Sequence, residues 1–410
     1  MKHSLLVLAL GLAILVGAFS GCTEKPQPSV FDPNWQSAPA PTITSLTSDN
    51  PLLPPSTGFA GVTVVTIKGT NFSPTIANDL VYFGTAPGTV LTASSTTLTV
   101  RTPQVVKDSL QVTVAVQGSQ YFSNYVMYSL KSAVSGFSVQ KNGEDPNGIA
   151  CDTAGNVYVS LVSTASGRAL GVWKIAPDGT RQAAAYSVTS GVTKWTGLKM
   201  GPGGVLYAAR NLQALYKIPA GGGAGAVWAL FPGGVKIQDF DFDANGNIWA
   251  GGANASIYRV TPAGNVKAFP FVATCRSFRV YNGSLYVGAK TDSLESVWSF
   301  QIISSDSLGP AQKYFDFSGK YVPNGPGVQC ITFSSDGDLY IGTDAAEGVI
   351  VVHQGGSSEP LYPGNLAPMP VAFAWGKGFS LYFSRLGTTT PHQMFVINTL
   401  KLSAPYYGLQ

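Results

Sequence analysis

Between residues 148 and 382 the apolar and polar positions repeat one arrangement six times: GIACDTAGNVY (148–158), GLKMGPGGVLY (197–207), DFDFDANGNIW (239–249), RSFRVYNGSLY (276–286), CITFSSDGDLY (330–340) and AFAWGKGFSLY (372–382). The windows align without a gap. Each reads as a short apolar strand, a tight turn carrying Gly, and a second strand that opens on an aliphatic residue followed by Tyr or Trp. A further strand motif follows each window: VWKIAPDG (172–179), LYKIPAGG (215–222), IYRVTPAG (257–264), VWSFQIIS (297–304), VIVVHQGG (349–356) and MFVINTLK (394–401). Successive anchor aromatics, Tyr158, Tyr207, Trp249, Tyr286, Tyr340 and Tyr382, stand 49, 42, 37, 54 and 42 residues apart. Units of roughly 40–50 residues with three clear strands and a weaker fourth predict the blades of a six-bladed β-propeller.

Upstream, the pattern changes to short stretches of strict alternation. PTITSL (41–46), VTVVTIKG (62–69), LVYFG (80–84), TLTVRTP (97–103), LQVTVAV (110–116) and YVMYSL (125–130) have the spacing of a seven-strand sandwich with one face of each strand turned to a core. Gly61, then Ile67-Lys68-Gly69-Thr70-Asn71-Phe72, Val81-Tyr82-Phe83-Gly84, Leu98-Thr99-Val100 and Thr102-Pro103 resemble an IPT/TIG domain, an immunoglobulin-like module. That resemblance implies that Gly69 and Asn71 shape a turn, that Phe72 plugs the sandwich, and that the domain serves as a spacer. The fold class is therefore all-β: an immunoglobulin-like sandwich over 41–130 and a propeller over 132–410. SAVSGFSVQKN (132–142) is positioned to give the last blade its outer strand and close the ring.

Asp145-Pro146-Asn147-Gly148-Ile149-Ala150 with Asp152 and Gly155-Asn156-Val157-Tyr158, and Asp243 with Gly246-Asn247-Ile248-Trp249, resemble NHL-type repeats and the wider gluconolactonase and streptogramin-lyase propellers. Gluconolactonase-type sites imply a divalent cation held by one Glu, two Asn and one Asp at the channel mouth, since oxygen ligands suit a hard cation. At the starts of the inner strands this chain offers Asn147, Thr196, Gln238, Cys275, Gln329 and Val371, followed by Gly148, Gly197, Asp239, Arg276, Cys330 and Ala372. Only Asn147 and Asp239 match that ligand set. A lyase of the streptogramin type implies a His base near the same face, whereas His353 falls in an outer-strand motif and His392 in a loop before one. No nucleophile elbow, Cys/His metal spacing or phosphate loop is found, and the Gly-rich stretches 221–225 and 355–356 are loops with no helix after them. No catalytic residue, metal ligand or cofactor is assigned.

On the inner strands one alternating set, Ile149, Leu198, Met200, Phe240, Phe242, Ile331, Phe333, Phe373 and Trp375, is apolar and faces neighbouring blades. The other set holds Lys199, Asp239, Asp241, Arg276 and Thr332 near the axis. Unpaired, such charges would be costly to bury. Two readings follow: Lys199, Asp239, Asp241 and Arg276 satisfy one another around a watery channel, or they belong to a polar ligand site with Asn147, Gln329 and the stacking surface of Trp195.

Composition fits an exported β-rich chain: charged residues make up 11%, with 47 Gly and 27 Pro to supply turns. The net charge of +4 includes no basic run, which argues against nucleic acid as a partner. Cys151, Cys275 and Cys330 are an odd, scattered set and predict no disulfide framework. Residues 1–21 read as a signal peptide: a positive start, then SLLVLALGLAILVGAF. Phe19-Ser20-Gly21-Cys22 resembles a bacterial lipobox, which implies lipidation of Cys22, and Thr23 implies outer-membrane placement on either leaflet. Residues 22–40 form a Pro-rich tether whose Phe31 and Trp35 tuck against the sandwich. The expected protein is a lipid-anchored, non-enzymatic binding or scaffold module whose partners are the membrane and a glycan or another envelope protein. The alternatives are a surface glycan-binding accessory protein and a metal-dependent lactonase-like hydrolase.

Overall fold

The computed structural model describes residues 36–137, 139–188, 193–321, 326–386 and 392–407. Cys22, Phe31 and Trp35 lie outside the described residues, as does the signal segment. Among the described residues no helix is long and apolar enough to cross a membrane.

The sandwich forms as its alternation dictates. One sheet has the order Thr42–Ser48, Val64–Thr70, Thr97–Arg101, Thr89–Ala93; the other runs Thr57–Phe59, Val126–Lys131, Lys107–Val116, Asp79–Phe83, Ala86–Pro87. Val65, Ile67, Leu98 and Val100 of the first sheet meet Val81, Phe83, Val112, Val114, Tyr128 and Leu130 of the second in one buried core. Phe72 plugs that core. It can do so because Asn71 takes a left-handed φ of 60° and ties its amide to Ala40 O at 2.8 Å. A side chain at Gly69 would lie 1.9 Å from Thr42 O, so only Gly fits there. Thr89–Ala93 was not among the strands read from sequence: a bulge between Val90 and Thr92 breaks its alternation, so the residues that pack on the core, Val90 and Ala93, stand three apart and leave no two-residue signal.

The second region is a ring of six blades. Its inner strands are Glu144–Cys151, Gly197–Met200, Asp239–Phe242, the second half of Val266–Tyr281, Val328–Phe333 and Pro370–Trp375. Each packs on the next and the last packs on the first, so the ring is closed. Val134–Gly136 pairs antiparallel with Gln393–Asn398 and supplies the outer strand of the last blade, from within the segment expected to do so. The six anchor aromatics hold equivalent register positions, opposite Ala150, Lys199, Asp241, Arg279, Thr332 and Ala374 in turn. Four are buried, while Tyr286 and Tyr382 are half-buried.

One register differs from the gapless alignment. The fourth hairpin turns on Asn282 and Gly283 alone, both at positive φ (47° and 71°), so Tyr286 stands opposite Arg279 and not opposite Phe278. In the first and third blades the turn is longer and an aspartate closes it. Asp243 Oδ1 accepts from the backbone N–H groups of Asn245 and Asn247, and Oδ2 accepts from Asn247 Nδ2 and from Trp249 Nε1 at 3.0 Å. Asp152 repeats the arrangement with Asn156 and the Tyr158 hydroxyl. The Asp-to-aromatic spacing of the repeat is thus a turn-stapling device.

Beyond the last strand the chain crosses beneath the axis. Ala404 N–H donates to Phe333 O, the Tyr406 hydroxyl bonds Thr332 Oγ1, and Tyr407 stacks on Phe242 at 5.1 Å. Cys151, Cys275 and Cys330 are buried free thiols, and burial pushes the Cys275 thiol up to about 12.

Candidate ligand mouth and the charged waist

The inner strands open on one end of the channel, and there the backbone is irregular. β-Bulges interrupt four of them, between Pro146 and Ile149, Cys275 and Ser277, Val328 and Cys330, and Pro370 and Ala372. A bulge inserts an unpaired residue and re-aims its side chain. The re-aimed residues Asn147, Arg276, Gln329 and Val371 join Thr196 and Gln238 around a bowl of about 330 Å³, with Lys194 and Asn211 also on its wall. That size is within the range of small-ligand sites. All six positions taken from the strand starts line it, and in the fourth blade the bulged Arg276 does so as well as Cys275.

The mouth is firm beneath and unsatisfied above. The Asn147 carbonyl accepts from Ser384 Oγ at 2.6 Å, and Thr196 Oγ1 donates to Gln238 O at 2.8 Å. Arg276 reaches Glu295 at 2.5 Å and Val328 O at 3.1 Å, which fixes its guanidinium at the rim. The side-chain amides of Gln238 and Gln329 are half-buried, face the bowl and have no hydrogen bond among the described residues. Each can offer one donor group and one acceptor to a ligand.

One step down the axis lies a cluster of charge. Asp239 faces Lys199 Nζ at 3.3 Å and Arg279 at 3.5 Å, and also accepts from Ser277 Oγ and the Phe278 N–H at 3.1 and 3.0 Å. Asp241 accepts from the Val280 N–H at 2.9 Å. Arg279 donates to Phe278 O and Phe373 O and lies over the Tyr406 ring. Burial alone would push the Asp239 carboxyl up; the charges of Lys199 and Arg279, with backbone N–H donors, outweigh it and hold the carboxyl below its ordinary range. For Asp241 burial wins over Arg279 and Lys199, and its carboxyl is raised. Burial, with Arg279 beside it, pulls the Lys199 ammonium down. Two carboxylates and two cations close this waist, with a small space of about 50 Å³ below it walled by Phe242, Phe373, Trp375, Tyr406 and Tyr407.

Two of the expected site residues need correction. Arg276 is not a member of the charged network: the bulge at Cys275 carries it to the rim, and Arg279 holds the position beside Asp239. Sequence reading missed Arg279; counting back from Tyr286 across a two-residue Asn-Gly turn would have found it. Trp195 is not a stacking platform. It is 1% exposed, edge-on to Tyr216 and under the Arg210 guanidinium, because alternation sends it away from the axis while Thr196 faces the bowl. Asn147 and Gln329 line the mouth, whereas Lys199, Asp239 and Asp241 build the waist beneath it. Neither His is on the axis: His353 bonds Asp338 and Glu359, and His392 bonds Asp145. Among the described residues no three His, Cys, Asp or Glu side chains converge to hold a metal ion.

An immunoglobulin-like sandwich followed by a closed propeller defines the class. Residues 41–129 match the family model of the IPT/TIG domain, so the chain carries an IPT/TIG domain ahead of its propeller. A search of curated proteins finds no match by sequence. Among solved structures, a protein of unknown function from Bacteroides thetaiotaomicron aligns over 90% of this chain and 100% of its own, at 15% identity and a TM-score of 0.50. An auxiliary nutrient binding protein from the same organism aligns over 90% and 98% at 11% identity and a TM-score of 0.50. A protein provisionally named a gluconolactonase covers 67% of this chain and 94% of its own at 15% identity and a TM-score of 0.50. At these identities the likeness concerns the fold.

Proposed function

We propose that this chain is a non-enzymatic binding protein of the cell envelope, lipid-anchored at Cys22 and placed at the outer membrane, which takes a polar, largely uncharged ligand in the propeller mouth. The observation that carries this reading is the pair of half-buried amides, Gln238 and Gln329, that face the bowl with no partner among the described residues, beside Thr196 and Arg276, which the fold holds in place. Hydrogen-bonding groups that the fold leaves open to solvent on a concave wall can pair with a ligand, and a ligand that covers them without pairing is disfavoured. Hydroxyl-rich ligands such as oligosaccharides have the matching donors and acceptors. The neighbour named an auxiliary nutrient binding protein, alike in fold over both regions, favours a binding role over a plain scaffold. The carboxylate of Asp239 is already engaged by Lys199, Arg279, Ser277 and Phe278, so a lactonase reading lacks an acid free to hold a cation at the mouth.

Calorimetric screening of neutral oligosaccharides against the purified protein tests the proposal. A binder whose affinity drops about tenfold or more in Gln238→Ala or Gln329→Ala, as expected for the loss of one or two well-aligned hydrogen bonds, is the expected result. Turnover of a lactone with added divalent cations, or glycan binding indifferent to both substitutions, would overturn it. Cys22→Ala should move the protein out of the membrane fraction; a variant that stays in the pellet would sink the anchoring.

A further inference from the structure

The sandwich carries an apolar tip that neither the propeller mouth nor the core accounts for. On the outer face of its second sheet, Leu80 and Met127 are 52% and 43% exposed, and in the loop between Lys107–Val116 and Val126–Lys131 the side chains of Tyr121, Phe122 and Tyr125 are 67%, 58% and 58% exposed. The three loop aromatics fall within one short stretch, 121 to 125, and Phe122 reaches back over the sheet. Tyr82 stands opposite Thr113, Gln111 opposite Met127, and the Phe122 ring folds back to 6.2 Å from that of Tyr82. Scattered exposed apolar residues need no explanation, but a cluster of this kind marks a contact surface. The charges of the same two strands, Lys131 and Asp108, pair with each other at the opposite end, where the chain passes on to the propeller.

The path of the chain indicates what covers the tip. At its N-terminal side the sandwich is joined by residues that lie along this loop: Ala38 N–H donates to Gly118 O at 2.8 Å, and Gln120 N–H donates to Ser37 Oγ at 2.9 Å. The segment leading back to Cys22 therefore departs within a residue or two of Tyr121 and Phe122. Cys22 precedes Gln36 by 14 positions (36 minus 22). Even fully extended, that segment spans no more than about 50 Å, so an anchored Cys22 keeps the tip close to the bilayer. Tyr and Phe side chains, apolar in body and, for Tyr, polar at the end, are suited to the headgroup boundary.

We infer that the Tyr121–Phe122–Tyr125 tip docks on the lipid surface and orients the propeller away from it; this rests on the anchored reading above. The test uses the full protein isolated from membranes and reconstituted in phosphatidylethanolamine/phosphatidylglycerol vesicles, with Tyr121→Trp as a reporter and Val272→Trp, on the propeller, as its control. Brominated acyl chains should remove roughly half of the emission added at position 121 and little of that at 272, as expected for side chains at the headgroup boundary. Phe122→Ser with Tyr125→Ser should relieve most of that quenching while the protein still floats with the vesicles. Flotation without quenching at position 121 overturns the docking and leaves the anchor standing. Failure to float, with no lipid found on Cys22, overturns both. Shielding of position 121 from a soluble quencher that is just as strong without vesicles would mean that the chain's own residues 23–35 cover the tip, and would also overturn the proposal.

Discussion

The mouth and the waist of the propeller lie one step apart on the same inner strands and use their polar groups in opposite ways. At the waist Asp239 gathers four donors, two of them the cations Lys199 and Arg279, and Asp241 accepts from the Val280 N–H. At the mouth the amides of Gln238 and Gln329 have no partner among the described residues and face the open bowl. A group that stabilises the fold is satisfied by the fold, while a group kept for a ligand gives up that stability until the ligand arrives. The difference separates candidate site residues that were indistinguishable as letters in a strand.

The comparison predicts a graded set of losses. Asp239→Ala should be the most damaging, at about 3–5 kcal/mol in chemical denaturation, since it leaves Lys199 and Arg279 buried without their shared carboxylate. A loss under about 1 kcal/mol would place the waist with the mouth as functional ground. Asp243→Ala should follow, at about 2–3 kcal/mol, by unstapling the third-blade turn and stranding the Trp249 N–H. Arg276→Ala should cost less than Asp239→Ala. A double-mutant cycle should show coupling between Asp239 and Arg279 and near-additivity between Asp239 and Arg276. Coupling to Arg276 would restore it to the network. Gln238→Ala and Gln329→Ala should shift stability by about 0.5 kcal/mol or less while removing ligand binding.

Acid separates the two carboxylates of the waist by sign. Asp239 titrates lower in the folded chain than in the unfolded one, so its contribution is complete above the unfolded pKa and is lost as the pH falls through the folded value. Asp241 is raised, so its ionisation opposes folding above its folded pKa, and that penalty is relieved as the pH drops toward the unfolded value. Asp241→Asn should therefore be tolerated best at neutral pH and should make acid unfolding steeper. Equal destabilisation by Asp241→Asn at every pH would show that its carboxyl is not perturbed as described.

The blades were legible because a propeller repeats one hairpin, and six copies of a two-residue alternation ending in Tyr or Trp leave little room for another period. The list of mouth residues was legible for the same reason: Asn147, Thr196, Gln238, Gln329 and Val371 stand at one fixed distance before their windows. Arg276 and Arg279 were confused because two local irregularities, a bulge at Cys275 and a turn one residue short at Asn282-Gly283, leave the apolar pattern intact while moving the polar residues between levels. Trp195 was misplaced because an aromatic beside a strand start reads alike whether it faces a ligand or a neighbouring blade.

What the sequence determined alone was periodic: strand, turn, strand, six times over, with a sandwich ahead of it and Val134–Gly136 at hand to close the ring. What only the tertiary structure decided was which side chains share a height on the axis. Strands far apart in the chain meet there, and a shift of one residue in one hairpin exchanges a rim arginine for a buried one. The crossing of the C-terminal residues beneath the axis, with Tyr406 on Thr332 and Tyr407 on Phe242, was likewise invisible, since no period links those pairs. Periodicity is carried by neighbours in sequence, whereas charge pairing and free amides are set by distances between blades, and those exist only once the ring has closed.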